Sequence, residues 1–472
     1  MDSEEFRKWS AHAARWGADY RDGLRERPVR APGAPGDVTR QLEKSPPEAP
    51  EPMEAIFADF EQAIVPGMTH WQHPRFFAYF PANAAPVSVV AEYLVTAIGA
   101  QCMLWQTSPA ATELETVALD WLRQALGLAD GFSGVIQDSA SSATLAAVLT
   151  MRERALDWHG KQDGLAAHPA VRIYASDQAH SSIDRAIWIA GVGEANLVRI
   201  GTSSPSRGID PTELEAAIER DRAAGLRPAG IIANVGGTSI GACDDVAAIC
   251  AIAKAHDLYV HVDAAWAGSA MICPEFRHFW AGVDEADSVV LNPHKWLGAQ
   301  FDCSAHYVKD PESLLKTLAI HPEYLKTSGR EGMIDYSEWS IPLGRRFRAL
   351  KLWFLMRAHG LEGLRTMIRN HVSWAEGLSE RIGAEPDFEI ASAPMLSLFS
   401  FRYAPAGADD LDALNQLLLE RINDDGRIYL TQTRVDGRFV IRFQVGAFST
   451  EEADVDFAFD VIREIADGLG VG

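Results

Sequence analysis

The sequence predicts an α/β protein: a mostly parallel sheet covered by helices on both faces, followed by a smaller α+β domain. Two observations carry the first part. Short apolar runs alternate with segments of helical periodicity between about residues 111 and 291, and polar residues collect where the apolar runs end. A change of texture after Leu350 carries the second part.

Taken in order, residues 1 to about 25 have helical character. The stretch to about residue 52 holds seven prolines, Pro28, Pro32, Pro35, Pro46, Pro47, Pro50 and Pro52, which disfavour regular helix or sheet. It reads as an extended arm lying across a partner subunit, with a plain linker as the alternative. The apolar window 87–105 carries Glu92, Gly99 and Gln101, too many interruptions for a membrane span, and reads as a buried helix. Over 111–128, Leu114, Val117, Ala118, Trp121, Leu122 and Ala125 recur at helical spacing and predict an amphipathic helix. Strands are then expected at 134–137, 171–174, 230–235, 258–262 and 288–291, with helices at 142–158, 210–224 and 246–256 between them. Beyond residue 350 a helical stretch leads to a strand-like segment at 388–403, a helix at 410–422, a strand at 438–445 and a last helix. The division expected is an N-terminal arm over 1–78, a large domain over 79–352 and a small one over 353–472.

The bulk properties narrow the function classes. In 472 residues, 43 basic against 65 acidic side chains give a net charge of -22, which argues against nucleic acid or an anionic membrane as the main partner. Five cysteines, an odd number without CxxC spacing, indicate neither a disulfide framework nor a zinc site, and no other metal site is expected. The acidic N-terminus lacks the features of a secretory signal, so a reducing cytoplasm is expected.

The chemistry concentrates at strand ends, where open α/β sheets bind ligands. Asn292-Pro293-His294-Lys295-Trp296 puts a lysine just after one apolar run, and Asp263 closes another. An amine able to form a Schiff base, with a carboxylate able to keep a pyridine nitrogen protonated, is what pyridoxal 5'-phosphate requires. Ala265 is small enough for a flat ring to lie against the backbone. The run from Gln137 to Ser142, leaving a strand and opening a helix, offers amides and hydroxyls for a phosphate, although serines there also serve as plain N-caps. Asn292 is a further phosphate donor. His180 follows the expected strand at 171–174 and is either a structural hydrogen bonder or a ring-stacking residue.

These residues resemble the group II pyridoxal-dependent decarboxylases, and within them the aromatic-L-amino-acid decarboxylase family. The likeness runs through His70-Trp71, Phe76 to Pro81, Ser108 to Thr116, Asp177 to Ser182, His261 to Ala265, Gly268 to Arg277, Asn292 to Trp296, Phe301 to Ser304 and Pro342 to Lys351. It implies the type I fold of pyridoxal-phosphate enzymes and a homodimer with shared active sites. It also implies Lys295 as the Schiff-base lysine, Asp263 as the pyridine partner, His180 as the stacking residue and Ala140, Ser141 and Asn292 around the phosphate. Thr238, Ala265 and His294 would lie at the cofactor. Tyr324, in His321 to Lys326, stands at the position of the family's catalytic tyrosine and implies decarboxylation; related aldehyde synthases carry phenylalanine there. An aminotransferase would instead need a carboxylate clamp, for which Arg442 is the candidate. The implied substrate pocket is Trp71, Tyr79, Phe80, Pro81, Ala82, Met103 and Gly344. Ala82 with Gly344 tilts the expectation toward tryptophan, and Asn83 is a candidate partner for a ring hydroxyl.

Overall fold

In the computed structural model, which describes residues 1–203, 206–320 and 333–469, the alternating segments form a seven-stranded sheet. Its strands lie among β1 (Ser133–Gln137), β2 (Val171–Ser176), β3 (Leu197–Ile200), the small hairpin β4 (Thr202–Ser203) and β5 (Gly208–Ile209), β6 (Arg227–Asn234), β7 (Tyr259–Asp263), β8 (Ser288–Leu291) and β9 (Ser304–Val308). The order is β1-β9-β8-β7-β6-β2-β3, with the hairpin outside it. β3, β2, β6, β7 and β8 pair in parallel, and β9 runs antiparallel to both β8 and β1. The reversal has a simple cause: β8 and β9 are joined without an intervening α-helix, and a parallel return needs a crossover, usually helical. β9 therefore begins at the edge where the other strands end, which brings Ser304 to the lysine loop.

Helices cover this sheet through apolar faces. Ala140–Ala155 contributes Ala147, Val148 and Met151 to a core with Ile173 and Ala175 of β2, Ile232 of β6 and Ile183 and Ile187 of the following helix. Each valine, isoleucine or methionine among them stabilises the fold by roughly 1.5–3 kcal/mol when fully buried. The amphipathic segment expected at 111–128 is the helix Pro109–Leu126, opened by proline at its first turn and closed by Gly127 at φ 78, a left-handed position that glycine occupies without strain.

The chain divides into two compact units, residues 82–371, which hold this sheet, and residues 1–81 with 372–472. The second unit contains β10 (Phe388–Met395), β11 (Leu398–Tyr403), β12 (Thr431–Val435) and β13 (Arg438–Gln444), antiparallel in the order β10-β11-β13-β12. Phe77 stacks on Phe443 with ring centroids 4.4 Å apart, so the N-terminal segment enters this core. The Asp454 carboxylate pairs with Arg25 at 2.9 Å and Arg75 at 3.1 Å.

Two expectations need correction. The proline-rich stretch contains one short helix, Asp37–Gln41, which fits between Pro35 and Pro46. The apolar window is the helix Pro86–Ile98, buried at Ser88, Ala91 and Val95 but exposing Val90, Tyr93, Leu94 and Ile98 at 55%, 50%, 38% and 63%. Those four residues lie at i, i+3, i+4 and i+8, one face of a helix, and apolar composition does not distinguish an outward face from a core one.

Four buried histidines of the sheet unit set an acid limit on stability. Burial lowers His294 and His371 to about 3, His306 to about 4 and His261 well below 6.5. The folded state keeps them neutral while the unfolded chain takes protons below about 6.5, so their contribution is lost as pH falls through that value toward 4. Asp244, which burial pushes up to about 6, and Asp287, which burial also raises, act in the opposite sense. The thermal midpoint should be flat from pH 7.5 to 6.5 and then fall as each histidine costs about 1 kcal/mol of stability per pH unit. Melts at unit intervals of pH check this, and a midpoint that holds level to pH 5 would contradict it.

Candidate active site

The carboxyl edge of the sheet carries Asp263 at the end of β7 and Asn292 to Lys295 after β8. Asp263 ends β7 and is buried, and its Oδ1 accepts the Ala265 amide at 3.0 Å. The Val235 amide, leaving β6, donates to the Asp263 carbonyl at 3.0 Å, and the Asn292 amide, leaving β8, donates to the Ala265 carbonyl at 2.8 Å. Three successive strand ends are thus tied together around one carboxylate.

Lys295 stands in the loop after β8, half-buried. Burial lowers its pKa and the Asp263 carboxylate opposes that fall, so amine and acid act on one another through the space at the strand ends. The loop is held on every side. The Lys295 amide donates to the Asn292 carbonyl at 2.9 Å, and Asn292 Oδ1 accepts the Ser304 hydroxyl at 2.6 Å. His294 Nδ1 accepts the Cys303 amide at 2.9 Å, so this ring serves the turn through that nitrogen. Trp296 stacks on Trp266 at 5.1 Å and its Nε1 donates to His371 Nδ1 at 3.0 Å.

On the other strands, Ser139 caps the helix Ala140–Ala155, its hydroxyl accepting the Ser142 amide at 3.3 Å. Capping and phosphate binding are compatible here, because the first-turn amides of Ala140 and Ser141 have no carbonyl within the helix to bond. Ala140 and Ala265 belong to one small apolar cluster with Ala143 and Val290, a flat wall beside Asp263. Thr238 is half-buried in the turn after β6, where the Gly236 and Gly237 amides both donate to the Ala242 carbonyl. His180 is exposed, yet enough protein crowds its ring for desolvation to lower its pKa, Asp263 pushing the other way and Lys295 adding to the fall. The Ser182 amide donates to His180 Nδ1 at 3.1 Å, which leaves the proton of the neutral ring on Nε2.

The expected pocket residues fall in both compact units. Ala82, Met103 and Gly344 belong to the sheet unit; Met103 accepts the Ser337 amide at 3.0 Å through its carbonyl, and Gly344 is exposed. Trp71, Tyr79, Phe80 and Pro81 belong to the other, where Trp71 stacks on Tyr79 at 5.8 Å. Arg442 is in that unit too, its guanidinium 5.4 Å from the Phe80 ring and Nη1 donating to Thr431 Oγ1 at 3.0 Å. Tyr324 and the rest of His321 to Gly332 lie outside the described residues.

Asn83 is 1% exposed, and its Nδ2 donates to the Lys295 carbonyl at 2.6 Å, so one of its amide hydrogens is engaged by the lysine loop. Sequence reasoning also missed Glu115 and Arg345, a buried pair 2.6 Å apart. Arg345 donates to the Ile136 carbonyl at 2.8 Å and its carbonyl accepts the Cys102 amide at 2.9 Å, so it joins β1, the Met103 segment and Gly344. Both residues stand inside motifs noted in the sequence, and their complementary charge was the available signal.

The donor set fits pyridoxal phosphate: one amine, a buried carboxylate facing it, a helix N-terminus and a wall of alanines. The chain belongs to the pyridoxal-dependent decarboxylases; the family's model, described as the pyridoxal-dependent decarboxylase conserved domain, matches residues 35–404. It is a pyridoxal-phosphate-dependent carboxy-lyase. It is 40% identical to tryptophan decarboxylase 2 of Oryza sativa subsp. japonica, over 99% of this chain and 95% of the relative. It is 39% identical to phenylacetaldehyde synthase of Arabidopsis thaliana, over 99% of this chain and 97% of that one. The crystal structure of Oryza sativa TDC with PLP and tryptamine superimposes with a TM-score of 0.95 at 36% identity, covering 99% of each chain.

Breaking the Glu115–Arg345 pair should be severe. Arg345→Ala leaves a buried carboxylate whose described partner is the Ile136 amide, and it should cost about 3–5 kcal/mol of stability. Arg345→Lys, which keeps the charge but not the fork, should recover only part of that. Chemical denaturation of both variants checks the order.

Proposed function

We propose that this protein decarboxylates aromatic L-amino acids to arylalkylamines and carbon dioxide, with tryptophan the first substrate to test. The observation that carries the reading is the placement of Lys295, in the loop after β8, and the buried Asp263, at the end of β7, on neighbouring strand ends at the carboxyl edge of the sheet. Named relatives acting on tryptophan and tyrosine support the substrate class. Bound pyridoxal phosphate supplies a conjugated ring that takes up the electron pair left when the Cα–carboxylate bond breaks.

The chain's own residues do the rest. Lys295 holds the cofactor, and burial lowers the pKa of its amine. Asp263 keeps the pyridine nitrogen protonated, which the ring needs in order to draw electrons. The Ala140 and Ser141 amides and Asn292 hold the phosphate, with Thr238, Ala265 and His294 around the ring. His180 would stack on the bound ring and would offer its Nε2–H as a donor there. Among the residues of the sheet unit, Ala82, Met103 and Gly344 receive the aromatic side chain. Tyr324 delivers the proton that replaces carbon dioxide at Cα. Atoms balance: one proton enters and one carboxylate leaves as carbon dioxide.

The second reading is an aromatic aldehyde synthase, the activity named for the Arabidopsis relative. Tyr324 favours simple decarboxylation, and an aminotransferase is a more distant alternative. We further propose a homodimer with the N-terminal arm, residues 1–78, packed across it. The outward apolar face of Val90, Tyr93, Leu94 and Ile98 supports a covering partner. All five cysteines are unpaired, which supports a reducing cytoplasm, and no described helix is long and apolar enough to cross a membrane.

One experiment tests the function: amine, carbon dioxide, ammonia and peroxide are measured for the purified protein on tryptophan, phenylalanine, tyrosine and dihydroxyphenylalanine. Amine with stoichiometric carbon dioxide is expected, with Lys295→Ala lowering turnover by at least ~10³-fold and Tyr324→Phe diverting product toward aldehyde, ammonia and peroxide. Keto acid without carbon dioxide would overturn the reading. Because the His180 pKa is lowered, its acidic limb in kcat/KM should lie below pH 6.5 and vanish in His180→Asn.

A further inference from the structure

The segment that follows Ala82 is fastened along the lysine loop bond by bond. The Asn83 amide donates to the His294 carbonyl at 2.9 Å, and its side-chain Nδ2 donates to the Lys295 carbonyl at 2.6 Å. Further along, the Ala85 amide donates to the Gly298 carbonyl at 2.8 Å, and the Ser88 hydroxyl accepts the Gln300 amide at 2.6 Å. The two segments run beside one another from 83 to 88 and from 294 to 300. Asn83 is the only member of this set to engage the loop with both main chain and side chain, and it does so at the lysine and the residue before it.

We propose that Asn83 is a positioning residue: it fixes the backbone of Lys295 and ties the amine's orientation to Ala82, its neighbour at the proposed substrate pocket. The inference rests on the reading of Lys295 as the cofactor lysine. The physical argument is one of reach. A lysine has four rotatable side-chain bonds, and the position of its amine is set by the backbone that carries it. Loss of the Asn83 side chain takes this donor from the Lys295 carbonyl, and a carbonyl that loses a hydrogen bond turns more freely with its peptide. Shape alone does not satisfy this requirement. It needs an N–H donor at the Asn83 side chain, which separates asparagine from its isostere aspartate.

The test uses the holoenzyme and two variants, Asn83→Asp and Asn83→Ala. Aspartate keeps the shape and loses the donor; alanine loses both without adding a charge, so one variant survives if the other fails to fold. Each is read for cofactor content, for the pH midpoint of the lysine-bound cofactor's visible absorption, and for kcat and KM separately. Near-full cofactor content is expected in both, with kcat down about 5- to 10-fold, KM within about twofold, and the absorption midpoint displaced from wild type by about half a pH unit or more. Either variant matching wild type in both kcat and absorption midpoint overturns the proposal. Borohydride reduction followed by peptide mapping keeps the two readings apart. Cofactor trapped at Lys295 with an unresponsive Asn83 variant sinks only the positioning role, whereas cofactor trapped at another lysine sinks both.

Discussion

An amine drawn partly out of water opposite a buried carboxylate is the constraint on which the rest of the sheet unit depends. Left alone, the Asp263 charge would be costly at 5% exposure, and the Lys295 amine is already pushed toward neutrality by burial. Neither group can be placed by side-chain packing alone, since a lysine's reach is long and a carboxylate at a strand end can rotate. The surrounding backbone has to do it. That is why three strand ends are tied to one another at Asp263 and Ala265, and why the lysine loop carries hydrogen bonds to Asn292, Cys303 and Asn83 within a few residues.

The single reversed strand follows from the same demand. A sheet with every strand parallel would carry the chain away from the site after β8, through a crossover to the opposite edge. Turning back at once into β9 keeps residues 292–304 at the carboxyl edge and sets the Ser304 hydroxyl on Asn292. With its Oδ1 accepting that hydroxyl, Asn292 presents its NH2 as the donor end, the polarity a phosphate requires.

Much of this was legible in the sequence, and for identifiable reasons. The helix Val246–His256 and the strand Ser288–Leu291 have the bounds expected from periodicity, because each is an uninterrupted pattern ended by a polar residue. Lys295, Asp263 and His180 stand out because a charged or titratable residue at the end of an apolar run is uncommon without a purpose. What was not legible depends on pairing across long separations. β3 and β12 are short and only partly apolar, so they become strands through their neighbours rather than by their own pattern. The Glu115–Arg345 pair is separated by 230 residues, and nothing local in either motif points to the other. The outward face of the helix Pro86–Ile98 was misread because an apolar window reports hydrophobicity and not its direction.

The role of Asn83 bears on selectivity through what it withholds. A site that hydrogen-bonds a ring hydroxyl rejects the analogue lacking it by about 10⁴–10⁵, whereas an apolar pocket discriminates an added hydroxyl by only about 10². At the proposed pocket Ala82 offers a methyl group and Gly344 no side chain, and the polar neighbour that could have met a hydroxyl donates to Lys295 instead. Space near Gly344 is bounded by the Gln101 side chain, whose nitrogen lies 3.4 Å from where a Cβ would stand. The Nδ2 hydrogen bond at residue 83 serves the lysine's backbone.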